Sequence, residues 1–312
     1  MFFPSLSTAS FPGGVDLGTA IVLPPGGEVR AYVRSTGPAD GDPLDLNNKL
    51  VTTLNAGLAR CRASRGDVVV VLPGHTESIA TADAWSSLVA GTTILGIGRG
   101  TLRPTFTWTA TGSTVLFNVA NVTIQNCILN MDPGSGSVTV AAPITVSAAG
   151  CKFINCQGRF STDANSKVTI GITTDANADE LGIHGCHFYG ATAGECTTFL
   201  DLIGVDRLHI TDSVFEGATS AVAVGIVRFA TTASLNIRLE RNVYINRKAS
   251  STCAVTGLSG VSGMSHQEHF GYLDTSSLTP WLTSTGIMVF HRPTVSNTAG
   301  DTGSEVVGTV SA

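Results

Sequence analysis

Five stretches carry one eight-residue pattern: Val122-Thr-Ile-Gln-Asn-Cys-Ile-Leu129, Val146-Ser-Ala-Ala-Gly-Cys-Lys-Phe153, Leu181-Gly-Ile-His-Gly-Cys-His-Phe188, Leu208-His-Ile-Thr-Asp-Ser-Val-Phe215 and Ile237-Arg-Leu-Glu-Arg-Asn-Val-Tyr244. Each reads aliphatic, any, aliphatic, any, turn-like, small, any, large apolar. Alternation of period two marks a short strand with its aliphatics turned inward, and the turn-like residue bends the chain before the next strand. The small-residue column (Cys127, Cys151, Cys186, Ser213, Asn242) recurs at separations of 24, 35, 27 and 29 residues. Such intervals belong to a stacked architecture.

Matching lead-ins, Val115-Leu-Phe117 to Val122 and Phe199-Leu-Asp-Leu202 to Leu208, place several short strands in each repeat. Strands without intervening helices, repeating near 28 residues, predict an all-β chain folded as a right-handed parallel β-helix. Its coils lie ~4.8 Å apart, so about seven of them give a shaft only ~35 Å tall. A β-sandwich also uses many short strands, but it has no reason to repeat a small-residue column at coil-length intervals.

The chain has 312 residues, 43% hydrophobic and 13% charged, with 35 glycines and a net charge of −5. This acidic balance predicts no nucleic-acid partner, which would require a clustered basic face. No run of 18 apolar residues is present, so no membrane span is expected. The start Met1-Phe-Phe-Pro-Ser-Leu6 lacks the basic and continuous apolar regions of a signal peptide, so folding in a cytoplasm is expected. Seven cysteines (61, 127, 151, 156, 186, 196, 253) show no metal-type spacing. They read as small buried apolar groups.

Residues 1–43 are rich in Pro and Gly, yet Phe2, Phe3, Phe11, Val15, Leu17, Ile21, Val22 and Leu23 make them too apolar for a solvated tail. They are expected to form an arm ordered against the body or a neighbouring subunit. Residues 44–62 hold an amphipathic pattern over Asp45–Cys61, with Leu46, Leu50, Val51, Leu54, Leu58 and Cys61 on one stripe and Asp45 or Asn47 as N-cap. That helix is expected to cap the first coil. The solenoid is expected over 63–265, with a C-terminal cap and tail over 266–312.

The order helix, then Gly66-Asp-Val-Val-Val-Val-Leu-Pro-Gly-His-Thr-Glu77, then Ile94-Leu-Gly-Ile-Gly-Arg-Gly100 and Val122–Leu129, resembles the entry of pectate-lyase-like β-helices. It is most similar to the β-helix proteins of tailed-bacteriophage virions, tailspikes and capsid decoration proteins among them. Thr294–Gly308 also resembles the tail of such proteins. The resemblance covers residues 45–250 and implies a homotrimer on the virion exterior, assembled in the host cytoplasm and seated by its arms on the major capsid protein. A tail appendage that binds or cleaves host surface polysaccharide is the other role the fold carries.

Candidate chemistry is sparse. The outward columns are predicted as Gln125, Ala149, His184, Thr211, Glu240 and as Thr123, Ser147, Gly182, His209, Arg238, with no neighbouring carboxylates for glycoside hydrolysis. Asp201 and Asp206 lie in a lead-in, and Asp175, Asp179 and Glu180 in a loop, so an acidic pair would have to come from these. His184 and His209 are expected to approach each other across adjacent coils. His266 and His269 form H-x-x-H beside Glu268, which on a helix would share a face but lacks a third ligand. Gly96-Ile-Gly-Arg-Gly100 lacks the helix a phosphate loop needs. No residue is assigned a catalytic, cofactor-binding or metal-binding role, and no cofactor is expected.

Overall fold

The computed structural model describes residues 27–37, 48–134, 138–161, 163, 165–190, 196–219, 225–247, 255–257 and 259–272, together with strands at 281–282, 287–290, 294–297 and 304–305. The chain is a parallel β-solenoid of about 6 turns. Its three long faces are sheets of 11, 10 and 7 strands, beside a small sheet of 2. Among the described strands every pairing is parallel except that of Thr294–Asn297 with Ser304–Glu305.

The repeated pattern is the corner where the chain passes from the first sheet to the second. Thr123–Gln125 lies in the first sheet, Asn126 turns with φ 56, and Ile128–Met131 starts the second. Asn155, Gly185, Asp212, Arg241 and Gln267 repeat that left-handed backbone one coil at a time. Asn, Asp and Gly adopt it at little cost, and Arg241 and Gln267 adopt it against their intrinsic preference. Backbone bonds run through the corners themselves: the amides of Asn126, Asn155, Gly185, Asp212 and Arg241 donate to the carbonyls of Ile154, His184, Thr211, Glu240 and His266.

The second repeat sits five residues later than the pattern suggests. Lys152–Ile154, rather than 147–149, pairs with Thr123–Gln125 and Gly182–His184, so Asn155-Cys156 is the corner. Val146 instead ends a third-sheet strand, Ile144–Val146, whose own alternation imitates the repeat. Cys156 takes the place expected for Cys151, and Lys152 and Ile154 replace Ser147 and Ala149 in the outward columns. Cys127, Cys156 and Cys186 are free thiols at most 1 % exposed, packed as apolar filler.

The long helix is absent from the described part of its range. Leu50–Val51 is a strand on Tyr32 and Val33, and a single helical turn, Leu54–Leu58, follows. Thr53 Oγ1 caps that turn by accepting from the Ala56 amide, and Glu77 Oε2 accepts from the Leu54 amide at 2.7 Å. Strand pairing outweighs the apolar spacing here, helped by Gly57, whose lack of a side chain lets the turn approach Val69, Val33 and Ala31. Leu54 and Leu58 do reach the core, while Asp45, Leu46 and Asn47 lie outside the described residues, as do 1–26 of the N-terminal arm. At the other end the sheets run past 265: Gly263–His266, Ile287–Phe290 and Thr294–Asn297 extend the first two.

Inside the second sheet, Phe188, Phe215, Tyr244 and Phe270 stack coil upon coil with centroids 5.4 Å apart and interplanar angles of 6°, 8° and 16°. Gly158 occupies the preceding place because a Cβ there would meet Phe188 Cδ1 at 2.2 Å. Gly96 and Gly98 serve the corner too, their carbonyls accepting from Asn126 Nδ2 at 2.9 and 3.1 Å.

Candidate functional site

Outward side chains of the first sheet form lateral rows because the strands stand in parallel register. One row reads Gln125, Ile154, His184, Thr211, Glu240, His266, and its neighbour Thr123, Lys152, Gly182, His209, Arg238, Met264. His184 and His209 meet as expected, edge to face at 5.1 Å. His184 Nδ1 lies 2.8 Å from Thr211 Oγ1, and His209 Nε2 lies 3.6 Å from Glu240 Oε2. Burial and then the neighbouring His209 hold His184 below the usual imidazole range. Burial works to raise the Glu240 carboxyl, but the hydrogen bond and charge of Arg238, then those of His209, outweigh it and hold the group low. Among the described residues no three His, Cys, Asp or Glu side chains come together as a metal would require.

The H-x-x-H pair is not on a helix. His266 ends a first-sheet strand and His269 begins a second-sheet strand, with the corner Gln267-Glu268 between them. Glu268 therefore follows Asn242 in the inward small-residue column, 2 % exposed. Its Oε1 accepts from Asn242 Nδ2 at 3.4 Å, while Oε2 and the neighbouring buried Tyr244 hydroxyl interact without reaching full hydrogen-bond geometry and have no other partner. Burial pushes the Glu268 carboxyl up to about 8, against the opposing pull of Asn242 and Tyr244.

The other acids singled out in the sequence are held in ion pairs and hydrogen bonds. Asp201 Oδ1 and Oδ2 accept from Arg228 at 2.8 and 2.7 Å on the third sheet. Arg207 bridges Glu180 and Asp206, Asp175 accepts from the Asn177 amide, and Asp179 accepts from the Asp206 amide.

An open groove of about 400 Å³ crosses the second sheet, lined by Gln157, Phe160, His187, Tyr189, Gly190, Glu216 and Arg247. His187 and Tyr189 lie ring to ring at 5.0 Å, and Arg247 Nη2 donates to Glu216 Oε1. Burial, then Arg103, keeps His187 below the ordinary range. The eight-residue pattern runs only two residues past the corner, so it contains His187 but stops at the inward Phe188 and Phe215; one residue further, in outward register, stand Tyr189 and Glu216.

No family model matches the chain, and neither a curated protein nor a solved structure matches it. No described helix is long and apolar enough to cross a membrane.

Proposed function

We propose that this chain is a non-enzymatic structural protein, a trimeric solenoid that decorates the outside of a tailed-phage capsid in contact with the major shell protein. One observation carries the non-enzymatic part. Among the described strands whose side chains are visible, each carboxylate is already engaged: Asp201 by Arg228, Glu216 by Arg247, Glu240 by Arg238, and Glu77 by His75 and the Leu54 amide. Hydrolysis or elimination requires a carboxyl free to move a proton or attack, opposed by a second group across the substrate. Paired acids on a ladder-bonded face suit a rigid support instead. The phage assignment and the trimer rest on the resemblance at the entry strands and first corner.

A second reading, an appendage that binds host surface polysaccharide, is favoured by the groove beside Tyr189, where an aromatic ring lies next to amide, imidazole, carboxylate and guanidinium groups. The deciding experiment is quantitative mass spectrometry of purified particles. A copy number comparable to the major shell protein, or a simple large fraction of it, supports decoration. A few trimers per particle favour the appendage, and absence from particles overturns both.

A further inference from the structure

We propose that the groove on the second sheet binds an anionic group, a carboxylate or a phosphate, at its Gln157 end, where Arg103 and Arg159 converge. This deepens the second reading above by naming the chemistry of the ligand, and it rests on that reading only as far as the ligand is a sugar. The observation is two positive charges that share one neutral oxygen. Arg103 Nη2 donates to Gln157 Oε1 at 2.9 Å, and Arg159 donates to the same atom through Nη2 at 3.0 Å and Nε at 3.3 Å. An amide oxygen has two lone pairs for those three donors, and no charge to set against two guanidinium ions.

On the coils that follow, Arg207, Arg228, Arg238, Arg241 and Arg247 each lie within 4.0 Å of a carboxylate oxygen, whereas among the described residues neither Arg103 nor Arg159 does. Arg103 precedes the strand Thr105–Trp108, two coils before Gln157, so its side chain crosses a whole coil to reach this oxygen. On the way it donates to the Gly100 and Asn155 carbonyls. Each guanidinium has five N–H donors, so both keep some for an incoming oxyanion. An anion between them relieves their mutual repulsion and takes the forked, charge-assisted bonds that guanidinium groups favour.

The converging charges open onto space for a ligand. Gln157 lines one end of the groove, with His187 beside it in one outward row and Arg159 beside Tyr189 in the next. The charge of Arg103 reaches into that space: after burial, it is what holds the His187 imidazole below its ordinary range. Glu216, the carboxylate among the lining residues, stands two coils beyond Gln157 and is paired with Arg247, so it leaves the cationic end uncancelled. A volume of about 400 Å³ suits a small ligand, with the Tyr189 ring available to its uncharged part.

The test follows the His187 ring resonances of the full chain by NMR while glucuronate, inorganic phosphate or glucose is added. Glucuronate and phosphate should each shift them saturably and raise the pH at which His187 titrates, because a bound anion offsets Arg103; glucose should do neither. Arg159→Gln should weaken anion binding about tenfold, while Arg238→Gln, on the first sheet, should leave it unchanged. Gln157→Glu sets a carboxylate between the two guanidinium ions. It should abolish anion binding and raise the thermal midpoint, a readout that stands even where Arg159→Gln fails to fold. No saturable shift with either anion, or undiminished binding in Arg159→Gln or Gln157→Glu, overturns the proposal. Glucose bound as tightly as glucuronate overturns it too, and leaves the polysaccharide reading standing. Phosphate bound as tightly as glucuronate supports the anion site and counts against the polysaccharide reading.

Discussion

Replacing Glu268 by glutamine should make the protein more stable at neutral pH and remove a slope from its pH dependence. The carboxyl sits in the inward column one coil above Asn242 and ionises near 8 in the folded chain. In the unfolded chain it ionises near 4.5. Below the unfolded value both states hold the proton and the group is neutral to stability. Between the two values the unfolded chain releases a proton the folded chain retains, so folding weakens by about 1.4 kcal/mol per pH unit. The loss reaches about 3 kcal/mol at pH 7 and about 5 kcal/mol above the folded value, as an upper limit. Glutamine keeps the acceptor for Asn242 Nδ2, offers an N–H toward the neighbouring Tyr244 hydroxyl, and cannot ionise. Urea unfolding of both proteins at pH 4, 6, 7 and 8 measures the difference. The two curves should coincide at pH 4 and separate progressively up to pH 8. Parallel curves across that range would refute the claim that a neutral carboxyl is held in the column.

Phe215→Ala removes the middle of the aromatic stack and leaves a cavity between Phe188 and Tyr244; a loss of about 3–5 kcal/mol is expected by denaturant unfolding. Gly158→Ala places a methyl group against the Phe188 ring and should cost about 1–3 kcal/mol, relieved if Phe188 is shortened to Leu in the same chain. Asn126→Gly keeps the left-handed turn but loses both bonds to the Gly96 and Gly98 carbonyls, whereas Asn126→Ala loses the turn preference as well. Thermal unfolding should therefore rank wild type above Gly above Ala, and equal midpoints would show that the corner bonds contribute nothing. Arg228→Ala leaves the Asp201 carboxylate nearly enclosed without its partner and should cost about 3–5 kcal/mol, recovered in part by Asp201→Asn.

The corner was legible because its demands are local: a residue that tolerates positive φ, a small inward side chain, and aliphatics two apart. Register was harder, since Val146-Ser-Ala148 and Cys151-Lys-Phe153 both alternate, and only the lateral pairing of Phe153 with Ile124 selects the second. The helix failed for a related reason. Leu50, Val51, Leu54 and Leu58 fit one helical stripe, yet Leu50 and Val51 find better backbone partners on Tyr32 and Val33, which no local pattern announces. Of the side chains weighed for chemistry, the meeting of His184 with His209 followed from coil spacing alone. The burial of Glu268 did not, because H-x-x-H was read as a helix face instead of a corner.

Lateral register across identical corners also makes the length of the shaft adjustable. Gly182 stands beside His209, Ile183 beside Ile210 and Phe188 beside Phe215. Excising residues 183–209 would join Gly182 directly to Ile210 and bring every later strand down one rung with its inward and outward sides unchanged. Such a chain should fold into a cylinder shorter by ~4.8 Å, much as a stack of plates survives the removal of one plate. A lineage built this way can lengthen or shorten its reach by whole-coil duplication or loss, without redesigning either end.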